Sequence, residues 1–214
     1  MSRLLKDPIL TELVEEFIRK HYCHTVILYG SRARGDATIH SDYDLMGIRK
    51  AGKSYRAAEK RHGFYLDLFI YPEKDLKKVG EEHFHIDGGK VLFQKETFGT
   101  DFLKKLKAAT KQKYQPLPMD EIQVRRVWLH KMYDLIAQGD IEGNYRRSWL
   151  HEALLYEYFN IRKKRFWGSK RGFQWLQKND PTTYRLFDKV LQKPLDLKLL
   201  KKLVERVSEI KVDT

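Results

Sequence analysis

One segment of this 214-residue chain constrains its fold more than any other: residues 30–45, which read GSRARGDATIHSDYDL. An apolar run, residues 25–29, leads into the Gly-Ser turn, and residues typical of β-strands follow the two aspartates at residues 43–49. A third aspartate, Asp67, lies inside a second apolar run, residues 64–71. These patterns predict three strands, with a glycine turn and a polar segment between the first two.

The three aspartates point to a metal site. Asp42 and Asp44 are two residues apart, so in a strand their side chains project from the same face. Two carboxylates so close repel each other unless a cation lies between them, and hard oxygen ligands favour Mg²⁺. Asp67 would be costly to bury alone. Pairing its strand with the strand at residues 43–49 would bring all three carboxylates together around one cation.

The glycine turn beside these carboxylates offers room for a phosphate. Gly30 lets the backbone approach a ligand closely, and Ser31 begins a turn with backbone N–H groups available to an anion. Arg32 and Arg34 lie within reach of the same anion. Each piece alone is a weak signal, but their combination at this spacing indicates metal-assisted phosphoryl chemistry. The common phosphate-loop pattern does not fit, since Asp36 stands where that pattern requires lysine.

Charge is unevenly distributed along the chain, whose formal net charge is +13. Residues 1–100 hold 17 Lys and Arg against 15 Asp and Glu, whereas residues 101–214 hold 25 against 14. A basic surface of this kind attracts RNA, DNA, nucleoside triphosphates or acidic proteins. A solvated, lysine-rich helical face is the alternative explanation, so charge alone does not name a ligand.

Composition narrows the class of protein. Cys23 is the only cysteine, which excludes an intramolecular disulfide and a cysteine-rich zinc site. The first residues lack the apolar stretch of a signal peptide, and no stretch approaches the length needed to span a membrane. We therefore expect a soluble, cytoplasmic protein.

The residue pattern changes near residue 100. Before it, a helix is predicted from residue 8 to 21, a polar hairpin connection at residues 52–63 and a short strand at residues 91–94. After it, the pattern is helical almost throughout, with helices predicted at residues 102–110, 120–138, 145–165, 170–178, 181–192 and 195–210. We therefore predict two domains, residues 1–100 and residues 101–214.

The motifs at residues 30–35 and 41–45, read with Asp67, resemble the signature of the polymerase-beta-like nucleotidyltransferase superfamily. The chain is similar in particular to small prokaryotic members, such as the antibiotic nucleotidyltransferases, which add a helical domain after a minimal catalytic domain. Two segments of the helical half, residues 166–176 and 179–184, look like recurring segments of such domains. The resemblance implies an α+β fold, in which a mixed sheet flanked by helices precedes an all-α helical bundle.

The resemblance also implies a reaction and a set of roles. A nucleoside monophosphate would pass from a nucleoside triphosphate, ATP by default, to a hydroxyl acceptor, with release of pyrophosphate. Asp42, Asp44 and Asp67 would be the catalytic residues and the ligands of two Mg²⁺ ions, with Mn²⁺ as an alternative metal. Gly30 and Ser31 would hold the triphosphate, and Arg34 would assist them.

Functional roles are also predicted for two residues of the helical half. Glu152 is a candidate general base, because in some relatives a carboxylate of the helical domain takes that role; an exposed helix carboxylate is the alternative. Lys170, in a basic run at a helix start, is predicted to contact the triphosphate as a point charge, and a plain solvated lysine is the alternative.

Three functional hypotheses remain open from the sequence. In the first, the acceptor is a small hydroxylated compound. In the second, the acceptor is an RNA or a protein in a stress or toxin–antitoxin setting. In the third, the chain is an inactive nucleotide-binding module. Cationic aminoglycosides need an acidic pocket, so the basic helical half argues against them and favours RNA or protein. The three retained carboxylates argue against the inactive module. Both a monomer and a homodimer are compatible with the sequence.

Overall fold

The computed structural model describes residues 7–210, which divide into two compact units, one ending at Gln112 and the other beginning at Lys113. The first unit contains the five strands of the described chain, and these are β1 (Thr25–Tyr29), β2 (Tyr43–Arg49), β3 (Tyr55–Arg61), β4 (Phe64–Pro72) and β5 (Lys90–Gln94). Its helices are α1 (Pro8–Arg19), α2 (Gly30–Arg34) and α3 (Phe98–Thr110), with short 3₁₀ segments at Glu73–Leu76 and Glu81–Ile86.

The five strands form one mixed sheet in the order β3-β4-β2-β1-β5. β2 and β4 run parallel, and the other neighbouring pairs are antiparallel. The strands predicted at residues 25–29, 43–49, 64–71 and 91–94 are thereby confirmed. Together with the helices that follow, this confirms the predicted α+β class.

The two faces of the sheet are covered by different elements. On one face, alternate strand residues such as Leu28 and Leu45 pack against Leu13 and Phe17 of α1. On the other face, their neighbours such as Ile27 and Met46 pack in a separate cluster with residues of α3 and of the 3₁₀ segments. This alternation follows from the period of two along a strand, and it places Asp44 and Asp67 on the second face.

The prediction for residues 52–63 was wrong, because most of this segment is strand β3. It pairs antiparallel with β4, and the pairing closes at Arg61 and Phe64. The two residues of the turn, His62 and Gly63, have φ angles of +52° and +82°. Positive φ at both central positions is the geometry of the tightest hairpins. The segment looked like a connection because its outward residues are polar, as suits a strand at the edge of the sheet.

Helix α3 belongs to the first unit. Its residues Phe102 and Leu106 are buried against the sheet. The predicted domain division at residue 100 therefore falls inside this helix, and the compact unit continues to Gln112.

All regular elements in the described part of the second unit are helices. Its helices are α4 (Met119–Ala137), α5 (Ile141–Ile161), α6 (Ser169–Asn179), α7 (Pro181–Gln192) and α8 (Leu197–Ser208). Asp140, Asp180 and Asp196 cap the N-termini of α5, α7 and α8 with their side chains. The sequence predicts that a helix starts at residue 120. Asp120 lies inside the first turn of α4, which follows Pro118. No helix of residues 7–210 is both long enough and apolar enough to cross a bilayer.

Candidate active site

The parallel pairing of β2 and β4 brings two of the predicted metal ligands side by side. Asp44 and Asp67 are direct partners in the register of the two strands. Asp42 lies two residues before Asp44, just ahead of β2. Asp42 and Asp67 line one surface cavity of about 430 Å³, together with Arg56, Lys60 and Tyr65. The structure therefore places the three predicted aspartates at the same end of the sheet, with Asp44 and Asp67 as direct neighbours.

The carboxylates repel each other in this arrangement. The pKa of Asp44 is raised to about 6, first by burial and then by the negative charges of Asp67 and Asp42. Arg34 and Arg32 act in the opposite direction but do not offset the increase. A group whose charged form is disfavoured in this way gains from a nearby cation. A positive charge close to Asp44 would therefore stabilise its ionised carboxylate.

Arg56, a residue that the sequence did not single out, supplies positive charge to Asp67. The Arg56 guanidinium donates from Nε and Nη2 to the two carboxylate oxygens of Asp67, at 2.7 and 2.8 Å. It also lies 4.9 Å from the centroid of the Phe69 ring. Arg56 belongs to β3, in the segment where the sequence pattern predicts a hairpin connection. The His62-Gly63 turn before the alternating pattern of β4 was the signal that would have revealed it.

Gly30 makes room for the Asp44 carboxylate. Its φ angle is +68°, and a Cβ atom built at this position would lie 1.9 Å from Oδ2 of Asp44. No other amino acid therefore fits beside Asp44 without displacing the carboxylate. The sequence assigned Gly30 to the approach of a phosphate, and the structure adds this contact with the neighbouring strand.

Gly30→Ala is expected to lower the free energy of unfolding by about 2–4 kcal/mol, since a left-handed backbone and a steric clash are combined. Gly35→Ala is the matched control: its φ angle is +87°, but an added Cβ would meet no atom within 4 Å. This variant should lose only about 1–2 kcal/mol, the cost of the backbone conformation. Urea unfolding of both variants measures the difference. Equal losses would show that the contact with Asp44 does not constrain residue 30.

Arg32 organises the loop that carries Asp42. Its Nε and Nη2 atoms donate to the carbonyl oxygens of Asp42 and Ser41, at 3.0 and 2.8 Å. The guanidinium also stacks on the ring of Tyr43, 3.7 Å from its centroid. The sequence placed Arg32 within reach of a bound anion, whereas the structure uses its guanidinium to position Asp42.

The remaining predicted residues divide between the two units. Ser31 lies in the first turn of the short helix α2, and Nε of Arg34 lies 3.5 Å from a carboxylate oxygen of Asp36. Glu152 and Lys170 belong to the second unit, where both are exposed on α5 and α6 respectively. The roles predicted for these four residues stay predictions.

Tyr29 is a further residue of the site that the sequence did not reveal. It is the register partner of Asp44 on β1 and is only 4% exposed. Its hydroxyl is buried and has no hydrogen-bond partner in the described part of the chain. Burial, followed by the charges of Asp67 and Asp44, raises its pKa. A buried hydroxyl without a partner is uncommon in native proteins, and a bound ion or water is one way to satisfy it.

The donor chemistry fits a hard divalent cation, although the described residues contain no preformed cluster of three or more His, Cys, Asp or Glu side chains around one point. The raised pKa of Asp44 and the unpaired hydroxyl of Tyr29 are both compatible with a cation bound beside them. Binding through Asp67 would first require its pair with Arg56 to open. The Arg56 side chain is 60% exposed, so this costs little.

Comparison with known proteins agrees with the geometry of the first unit. Residues 10–105 match the family model of the nucleotidyltransferase domain. This match lies within the first unit and is consistent with the resemblance to the polymerase-beta-like superfamily. The crystal structure of a nucleotidyltransferase-like protein from Exiguobacterium sibiricum 255-15 is similar at 16% sequence identity and a TM-score of 0.40, covering 92% of this chain and 75% of that one. The chain has no match among curated proteins.

Proposed function

We propose that this protein transfers a nucleoside monophosphate from a nucleoside triphosphate to a hydroxyl acceptor and releases pyrophosphate. The observation that carries the proposal is the register of β2 and β4, which sets Asp67 beside Asp44 with Asp42 two residues away. These carboxylates lie in a nucleotidyltransferase domain. Transfer of this kind needs carboxylates beside a space for the substrate, and Asp42 and Asp67 line a cavity of about 430 Å³.

The three aspartates would hold Mg²⁺, or alternatively Mn²⁺, and each has a different surrounding. Asp44 is held between Gly30 and the neighbouring strands, so its position is fixed before the ligand arrives. Asp42 is oriented by Arg32 through its backbone. When bound, the metal ions would lower the pKa of the attacking hydroxyl and stabilise the charge of the leaving group. Gly30, Ser31 and Arg34 would contact the triphosphate.

The proposed transfer forms one bond at the α-phosphorus and breaks another. The acceptor oxygen forms a bond to the α-phosphorus, and the bond from that phosphorus to the bridging oxygen of the leaving pyrophosphate breaks. The hydroxyl proton passes to a carboxylate, which we propose to be Asp67 once it has separated from Arg56. Glu152 is the other candidate for the base, and Lys170 is the proposed second contact of the triphosphate.

The charge of residues 101–214 bears on the class of acceptor. The basic excess of residues 101–214 favours an RNA or a protein as acceptor, because such a surface attracts polyanions. An inactive nucleotide-binding module is a weaker alternative. It would keep the repulsion among Asp42, Asp44 and Asp67 without any function that requires it.

Incubation with each α-labelled nucleoside triphosphate, Mg²⁺ and separate pools of tRNA, protein and small hydroxylated compounds tests the reaction. We expect label to move to one pool, to stop when EDTA removes the metal, and to resume when Mg²⁺ or Mn²⁺ is restored. Asp42→Ala should prevent transfer, whereas Asp134→Asn, an exposed aspartate of α4, should not. No transfer to any pool, with nucleotide binding unchanged in Asp42→Ala, would favour the inactive module.

A further inference from the structure

The helical unit contains a cavity of about 730 Å³ between α4, α5 and the start of α6. This volume is within the range of small-molecule sites, roughly 300–1,000 Å³. Aromatic side chains form much of its lining. Trp128 and Trp149 meet edge to face with ring centroids 5.7 Å apart, and Tyr156 and Phe166 do so at 5.6 Å.

The aromatic surface of this cavity is open to solvent. Trp149 is 53% exposed and Tyr156 is 42% exposed, although the core of the same unit buries other large aromatic side chains such as Phe187 almost completely. Exposed aromatic residues grouped around a concave surface mark ligand sites rather than core packing. A flat ring could therefore stack against these side chains with a gain in buried apolar area.

The charges of the cavity are opposite in sign to those of the surrounding half of the chain. Three glutamates and one arginine line it, and the Arg125 guanidinium is already shared between two of those glutamates. Its Nε donates to Glu121 at 3.1 Å and its Nη1 to the buried Glu157 at 2.6 Å. Glu152 is exposed at the cavity and makes no hydrogen bond or ion pair with another described residue. The cavity thus has an excess of negative charge within a basic unit.

We propose that this cavity binds a planar organic cation, with its aromatic ring against Trp128, Trp149 and Tyr156 and its ammonium group paired with Glu152. Aromatic faces attract cations as well as rings, so the walls and the carboxylate favour the same ligand. A polyanion such as RNA is disfavoured here by the three carboxylates. Binding of such a ligand does not depend on the proposed function, in which RNA or a protein is the favoured acceptor.

Isothermal titration calorimetry on the full chain without nucleotide tests the binding. The probes are 2-naphthylmethylammonium, 2-naphthylmethanol and 2-naphthylacetate, which share the ring and differ in charge. We expect the ammonium to bind about tenfold or more tightly than the alcohol, a difference of about 1.4 kcal/mol, and the carboxylate to show no saturable binding. Equal affinities for the three probes would overturn the proposal.

Variants locate the site on the cavity. Glu152→Gln should remove the preference for the ammonium over the alcohol, and Trp149→Ala should weaken both. Glu142→Gln, the same change on the same helix but outside the cavity lining, should alter neither. Ammonium binding that survives both cavity variants, or that a short oligo(U) displaces, would also overturn the proposal. Because no nucleotide is present, failure here leaves the proposed transfer reaction standing, and failure of the transfer leaves this binding standing.

Discussion

Asp44→Asn is expected to abolish nucleotidyl transfer and, at the same time, to raise the free energy of unfolding at neutral pH. The loss of activity follows if Asp44 is a metal ligand, since an amide is a much weaker partner for a divalent cation than a carboxylate. We expect a fall of at least about a hundredfold in the rate of label transfer. The gain in stability follows from the raised pKa of Asp44, because its charged form is disfavoured in the folded chain.

The pH dependence of this gain has a definite sign. The pKa of Asp44 is about 6 in the folded protein, against 3.8 as its ordinary value. Above pH 6 the carboxylate is ionised in both states, and the folded state bears the full cost of burial and repulsion. As the pH falls from 6 to below 4, the folded state takes up the proton first and the cost disappears. The advantage of asparagine should thus be about 1–3 kcal/mol at pH 7.5 and vanish near pH 3.5.

Urea unfolding of the first unit at these two pH values, with the wild-type chain alongside, measures the effect. Asp134→Asn serves as the control, because it removes a negative charge from an exposed position of the other unit. It should change the stability of the first unit at neither pH. A variant that is less stable than wild type at pH 7.5 would contradict the repulsion inferred among the three aspartates. Full activity in Asp44→Asn would contradict its role as a metal ligand.

Asp180→Ala is expected to cause a large loss of stability in the helical unit. Asp180 is 7% exposed and caps α7 by accepting from the backbone N–H of Thr183 at 3.1 Å. It also accepts from the hydroxyls of Thr183 and Tyr158, both at 2.8 Å, and pairs with Arg206 at 3.3 Å. Removing a buried carboxylate from such a network costs about 3–5 kcal/mol.

Asp196→Ala is the control variant, because it measures the loss of a helix cap alone. Asp196 caps α8 in the same way, accepting from the N–H of Leu199 at 3.0 Å. Loss of a cap alone costs about 1 kcal/mol. Thermal or urea unfolding of the helical unit should therefore show Asp180→Ala as the much weaker variant. Similar losses in the two variants would mean that the bonds from Tyr158 and Arg206 add nothing to the cap.

Low pH weakens the network around Asp180 over a defined pH interval. Burial acts to raise the pKa of Asp180, but the hydrogen bonds from Thr183 and Tyr158 outweigh it and lower the pKa to about 2. A depressed pKa gives stability that is fully present above about pH 4 and is lost as the pH falls toward 2. The difference between wild type and Asp180→Asn should narrow over that interval. A difference that stays constant down to pH 2 would show that the charge of Asp180 does not contribute.

Much of the fold could be predicted from local patterns. The strands around the glycine turn and most helices were visible because apolar residues recur with the period of the element that they form. Strand β3 was not, since an edge strand buries little and its residues Arg56 and Glu59 look like those of a loop. Helix α3 was predicted as a helix, but its packing against the sheet was not, because the sequence shows an apolar face without showing what covers it.

The candidate site divides in the same way. The residue types are evident without any structure: a glycine turn, an Asp-x-Asp pair before a strand and a third aspartate in another strand. Folding adds the pairing of Asp44 with Asp67, the ion pair of Asp67 with Arg56 and the place of Gly30 against the Asp44 carboxylate. The tertiary structure also showed an acidic aromatic cavity within a half whose net charge is strongly positive. The physical reason is that strand register and local charge depend on which distant segments meet, whereas composition and periodicity report only neighbours along the chain.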